Sequence, residues 1–319
     1  MLSVAVDMAI VVRKLRIPEP LSQKQATTPP KANRYTDLSR RFLCETNLMS
    51  LLWLRVAVIL YGIAALAVLP AALYNRPRWR HVAVPAALAG VFFHFVSIAE
   101  TLAAAHRALP VDTHETLSWL GLLLAIGFLV LARIYRTVSF GVVLLPVAVL
   151  LAIVPAFRPG HETIAYPLIR TGWLLLHIAL LLAAYVALLV SLIASLLYLI
   201  QERQLKLKRP PSKRALLPPL ETLDQIAHNA LRFGLPCMTA GLLIGSVIAL
   251  QTIGPAFFAD PKVLLSFAMW IAYVLMIFIR SHQGLRGRRA VYLSSFVFVV
   301  VLAVWAANSL SAVHRFKAP

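Results

Sequence analysis

The sequence predicts an all-α fold, a polytopic transmembrane helical bundle of about eight spans, and three observations carry that reading. Of 319 residues, 60% are hydrophobic and only 13% charged, too little polar surface to coat a soluble globule of that size. The apolar residues gather in runs close to the ~20 residues that a helix needs to cross a bilayer. Lys and Arg collect in the short segments between those runs, as membrane orientation signals do.

Eight segments qualify, roughly 53–74, 82–104, 116–133, 137–157, 171–200, 233–253, 263–280 and 289–312. Ahead of them, residues 1–48 form a basic N-terminal tail, and residues 49–319 form the membrane domain. Met49 opens "MSLLWLRVAVILYGIAALAVLP", which leads straight into the first span and reads as an alternative chain start. If the tail is native, "VAVDMAIVVRKL" suits an amphipathic surface helix followed by a Pro-rich linker. Its apolar run precedes the basic one, the reverse of a signal peptide.

The fifth segment, Gly172 to Gln201, exceeds what a bilayer requires, so it is expected to tilt or project. After a basic, proline-broken loop, Leu220, Leu223, Ile226, Ala227 and Leu231 recur at helical spacing opposite Glu221, Asp224, Gln225, His228 and Arg232. That pattern reads either as a short interfacial helix or as an amphipathic lead-in to the sixth span.

The net charge of +19 reports topology, because the cations sit in loops and not on one soluble face; this excludes a nucleic-acid binder. Arg76, Arg78 and Arg80 follow span one, Arg133 and Arg136 span three, Arg203 through Arg214 span five, and Arg280 through Arg289 span seven. The opposite side carries only Arg107, Arg158, Arg170, Lys262, Arg315 and Lys317. The expectation is a multi-pass protein of the cell's inner (cytoplasmic) membrane, odd loops inside, and both termini outside if the chain starts near Met49.

Cys44 and Cys237 stand far apart and form no Cys-x-x-Cys pair, so thiol exchange and thiolate metal sites lack support. No nucleophile–base pair, phosphate loop or carboxylate dyad emerges, so the sequence predicts no enzyme in its own right. A transporter calls for internal repeats or interrupted helices with mid-membrane charge, which the pattern lacks.

Two features remain. Asp260-Pro261-Lys262 starts the seventh span: Asp suits a helix cap, Pro the first helical position, and Lys a snorkelling cation. His94 and His177 lie inside spans two and five, at depths of roughly 15 Å and 9 Å from the outer end by helix rise. Such imidazoles are either hydrogen-bonded to a neighbouring helix or functional, and neutral imidazole is the usual protein ligand of haem iron. Lys262, Arg158 and Arg170 are placed to meet propionates on that side.

The stretch "GPAFFADPKVLLSFAMWIAYVLMIFIRSHQGLRGRRAVYLSSFVFVVVLAVWAANSLSAVHRF", with "GWLLLHIALLLAAYVALLVSLIASLLYLIQERQLK" and "LPPLETLDQIAHNALRFGLP" upstream, resembles the cytochrome c assembly family of CcsA-type and HemX-type haem-handling membrane proteins. The likeness covers about residues 82–316. It implies haem b held through axial His177 and His314, with His94, Asp260 and Lys262 as further cofactor-site candidates. It also implies haem handling in cytochrome c biogenesis at the outer face, as at most one component of a haem-to-apocytochrome ligation system. Implied partners are haem and the lipid bilayer, with either a CcsB/ResB-like membrane partner and apocytochrome c, or a haem biosynthesis enzyme. The family's loop tryptophans are replaced by Ile253, Phe257 and Ala259, the Glu after Asp-Pro-Lys by Val263, and a further histidine by Phe278, with His282 one turn on. Those departures resemble HemX-like members more closely, for which the alternative role is a regulator or assembly partner of haem biosynthesis without bound haem.

Overall fold

A computed structural model describes residues 34–74, 76–104, 113–157, 172–207, 217–252, 254–283 and positions 292–293, 295–300 and 303. The chain divides into two compact units, Met1–Phe42 and Leu43–Pro319, and the helices below belong to the second except where the first helix begins.

In chain order the elements are α1 (Arg34–Leu73), a 3-10 turn (Pro77–Trp79), α2 (Arg80–Ala104), α3 (Thr113–Ile134), α4 (Gly141–Phe157), α5 (Gly172–Lys206), α6 (Leu220–Thr252), a second 3-10 turn (Pro255–Ala259) and α7 (Pro261–Gln283). Among the described residues there is no strand, and six helices are long and apolar enough to cross a membrane. The predicted fourth span is shorter than expected, 17 residues in α4, because Val138 and Phe140 carbonyls take up the Gly141 and Leu144 amides in a turn that replaces its first residues. Within the predicted eighth span, positions 292–293, 295–300 and 303 are helical; the rest lies outside the described residues.

The packing is that of a membrane protein. Many buried positions are small, as at Ala57, Ala64, Ala83, Ala87, Ala125, Ala148 and Ala194, whereas Leu66, Leu88, Leu150 and Phe95 face outward at 60% exposure or more. Lipid rewards no burial of Leu against Leu, so helices close up where side chains are small.

Two larger clusters form the core. One joins Tyr61 and Val68 of α1, Ala83 and Ala87 of α2, Leu124 and Phe128 of α3, and Leu144 of α4 to Val186 and Val190 of α5. The other joins Ala184 and Leu188 of α5 to Leu231 and Met238 of α6, Met269, Tyr273 and Met276 of α7, and Val297. Helix α5 thus contributes a face to each cluster. Its 35 residues agree with the over-long fifth segment.

The amphipathic stretch after the basic loop is the lead-in and not a separate interfacial helix. Helix α6 runs unbroken for 33 residues with Pro236 inside it, and Leu223, Ile226, Ala227 and Leu231 are all buried in the bundle. Its polar side is tied down too: Arg280 pairs with Asp224 Oδ1 at 2.6 Å and Asn229 donates to the Tyr135 hydroxyl at 3.0 Å.

Candidate functional site

Helix α7 begins with a turn built from its sequence. Gly254 adopts φ 76° ahead of Pro255, a left-handed conformation that suits glycine. The Asp260 amide donates to the Phe257 carbonyl at 3.1 Å, and the Asp260 Oδ1 accepts the Lys262 amide at 2.9 Å. Asp260 is therefore the N-cap, with Pro261 at the first helical position, as its spacing predicts. The cap buries Asp260 and holds Phe257 beneath the turn, with the Phe258 ring 4.1 Å from it and half exposed.

Beside this turn stands His177, in the second turn of α5. Its Nδ1 lies 2.6 Å from the Gly241 carbonyl of α6. A carbonyl only accepts, so Nδ1 carries the proton and donates, and Nε2 keeps a lone pair. Among the described residues Nε2 has no hydrogen bond. The ring fits because Gly245 lacks a side chain: a Cβ there would run into the imidazole. Gly241 and Gly245 form a Gly-x-x-x-Gly pair, which lets two helices approach closely within a membrane. The Lys262 ammonium is near enough to act on the His177 ring electrostatically, and Asp260 acts likewise on Lys262.

The structure thus brings His177, Asp260 and Lys262 into one neighbourhood. His314, Arg158 and Arg170 lie outside the described residues. His94 stands elsewhere, on α2, fully buried, with Nδ1 3.2 Å from the Tyr61 hydroxyl and Nε2 2.8 Å from Ser118 Oγ. Both of its ring nitrogens are engaged, and it shares no hydrogen-bond partner with His177. The position of the further family histidine, Phe278, is 55% exposed on the bundle surface.

Gly241 and Gly245 were missed by reading histidines alone, although "GLLIG" is a legible close-approach signal within an apolar run. Thr239 was missed as well: it accepts the Trp270 indole N–H at 2.9 Å and ties α6 to α7 below the turn.

The residues present fit one axial contact to a haem iron: a neutral imidazole with its tautomer fixed by a backbone carbonyl, and a cation nearby for a carboxylate. Among the described residues no group of three His, Cys, Asp or Glu side chains can hold a metal ion.

The chain is similar to known proteins over most of its length. The chain is 23% identical over 253 residues to the cytochrome c biogenesis protein CcsA of Prochlorococcus marinus (strain CCMP1986 / NIES-2087 / MED4), covering 72% of this chain and 80% of that one. It is 27% identical over 150 residues to the CcsA of Guillardia theta, 42% of this chain and 50% of that one. It is 30% identical over 152 residues to a protein of Azospirillum brasilense described as an uncharacterised 28.8 kDa protein in the nifR3-like 5′ region, 46% of this chain and 56% of that one. No solved structure matches. The profile described as "Cytochrome C assembly protein" matches residues 111–314, which takes in α3 through α7 and well over half of the 319 residues. A match of that extent on a multi-pass helical bundle places the chain in its family: it belongs to the cytochrome c assembly proteins.

Proposed function

We propose that this protein handles haem b in cytochrome c biogenesis, holding or presenting it at the outer face of the inner membrane. The single observation that carries the proposal is the His177 geometry, Nδ1 bound to the Gly241 carbonyl at 2.6 Å and Nε2 left with its lone pair. Bound haem would supply an iron that takes this lone pair. His177 orients it, Gly245 admits the ring, and Lys262, anchored beside the Asp260 cap, meets a propionate. His314 is the second axial ligand in this reading, and His94, with both nitrogens occupied, holds α1, α2 and α3 together.

The outer placement of this end rests on charge. Arg76, Arg78, Arg80, Arg133, Arg136, Arg203, Lys206 and Arg280 all lie at the opposite helix ends, the arrangement that keeps basic loops cytoplasmic. A CcsB/ResB-like partner and apocytochrome c follow as partners if haem is presented.

A second reading has its own observation. Phe278 faces outward at 55% exposure and Phe257, at the place of a loop tryptophan, is buried under the turn, so the intramembrane histidine and that loop tryptophan of CcsA-type proteins have no counterpart in the described site. That favours a HemX-like role as a membrane partner of a haem biosynthesis enzyme. The absorption spectrum of the full chain in mild detergent, oxidised and reduced, separates the two. A Soret band lost in the His177→Ala, His314→Ala double variant supports haem handling. Folded protein that stays colourless and takes up no added haem overturns it and leaves the partner role.

A further inference from the structure

The helix ends opposite the His177 turn gather cations that the haem reading does not use. Arg80 opens α2, and its guanidinium donates to the Arg136 and Ala132 carbonyls at 3.3 and 3.4 Å, which ties α2 to the last turn of α3. Tyr135, the neighbour of Arg136, accepts the Asn229 side-chain amide at 3.0 Å, which ties α3 to α6. Arg232 follows Asn229 by one helical turn, and Arg133 precedes Arg136 by three residues. Those bonds therefore set Arg133, Arg136 and Arg232 around one junction of α2, α3 and α6.

All three arginines are exposed, and among the described residues none pairs with a carboxylate. The acidic side chains of this end are committed or distant. Asp224 binds Arg280 at 2.6 Å, Glu202 binds Lys206 at 2.5 Å, and Glu221 stands eight residues before Asn229, about 12 Å along the helix. Arg136 adds a second observation. Its backbone is left-handed, φ 52°, just past a helix end where glycine is usual. A bulky residue held in that conformation points to a role for its side chain.

The neighbours of these cations distinguish one anion from another. Ile134, beside Arg133, is 64% exposed, and Phe233, beside Arg232, is 60% exposed. Each cation thus adjoins an outward hydrocarbon surface. A free phosphate ion would use the cations alone, whereas a phospholipid engages both. We propose that this junction binds an anionic phospholipid. Its phosphate is held between Arg136 and Arg232 with Arg133 beside them, and its acyl chains run along Ile134 and Phe233.

The test follows thermal unfolding of the full chain in neutral detergent at low salt as dioleoylphosphatidylglycerol is added. Dioleoylphosphatidylcholine and glycerol 3-phosphate serve as comparisons. A ligand that binds the folded state raises the melting temperature. Expected is a saturable rise with phosphatidylglycerol that salt reduces, and little rise with the other two. Arg136→Gly keeps the left-handed backbone without the charge, so it should fold as well as the wild type and need about fivefold more lipid for the same rise. Arg232→Gln, at an exposed helical position, should behave alike and decides the matter if Arg136→Gly does not fold. Arg203→Gln, exposed on α5 away from the junction, should respond as the wild type does. No rise with phosphatidylglycerol, or an equal rise with phosphatidylcholine, overturns the proposal. So does an equal rise with glycerol 3-phosphate, which would mark a phosphate-ion site. A wild-type response in the folded junction variants, or an equal loss in Arg203→Gln, overturns it as well.

Discussion

A missing side chain decides where His177 points. Gly245 leaves the notch that its ring fills, and Gly245→Ala forces the imidazole away from the Gly241 carbonyl. The expected cost is about 1–3 kcal/mol from overpacking, read as a lower melting temperature in detergent, with a weakened or shifted Soret band in any haem-loaded protein. Retention of both wild-type values would show that the notch is not needed. Tyr273 offers the opposite case. Its hydroxyl is buried without a partner among the described residues, so Tyr273→Phe removes an unsatisfied group and should leave stability unchanged or raised; a clear drop in thermal stability would reveal a partner outside them. The histidines themselves were legible in the sequence, because imidazoles in apolar runs stand out. What separates them was not: His94 binds two hydroxyls from other helices, and only the fold brings Tyr61 and Ser118 to it.

The helix ends were the most legible elements. Asp-Pro-Lys encodes a cap locally, within three residues, and the structure reproduces it at 2.9 Å. Asp260→Ala should cost about 1 kcal/mol and Asp260→Asn much less, with faster amide hydrogen exchange over the first turn of α7 in the alanine variant; equal exchange in both would argue against the cap. At the other end of the same helix, Arg280 binds both the side chain and the carbonyl of Asp224. With the Arg280 side chain 8% exposed, Arg280→Ala takes the guanidinium away from a partly buried carboxylate and should cost up to about 3 kcal/mol. The Asp224→Ala, Arg280→Ala double variant should lose less than the sum of the two single changes, as a double-mutant cycle measures; additive losses would dissolve the pair. The length of α4 and the unbroken run of α6 were less legible. Periodicity marks an apolar face, but whether that face meets lipid or other helices depends on neighbours distant in sequence.

For the whole molecule, composition alone foretold the membrane bundle, since so few charges can coat only loops and ends. The same charges set the orientation test. An impermeant thiol reagent should label Phe258→Cys, in a Cys-free background, on intact cells and Lys206→Cys only after permeabilisation; the reverse pattern would turn the proposed topology over. The packing between helices was not legible, because alanines inside and leucines outside look alike to any measure of hydropathy. One architectural fact bears on biosynthesis. Since α5 contributes a face to both clusters, a ribosome that has released only α1 to α4 leaves a core lacking its closing wall. One that has released α5 has a wall with its second face still bare. Each intermediate exposes small-residue seams in the bilayer until the next helix inserts, and those seams mark where membrane chaperones or proteases are expected to recognise a stalled chain.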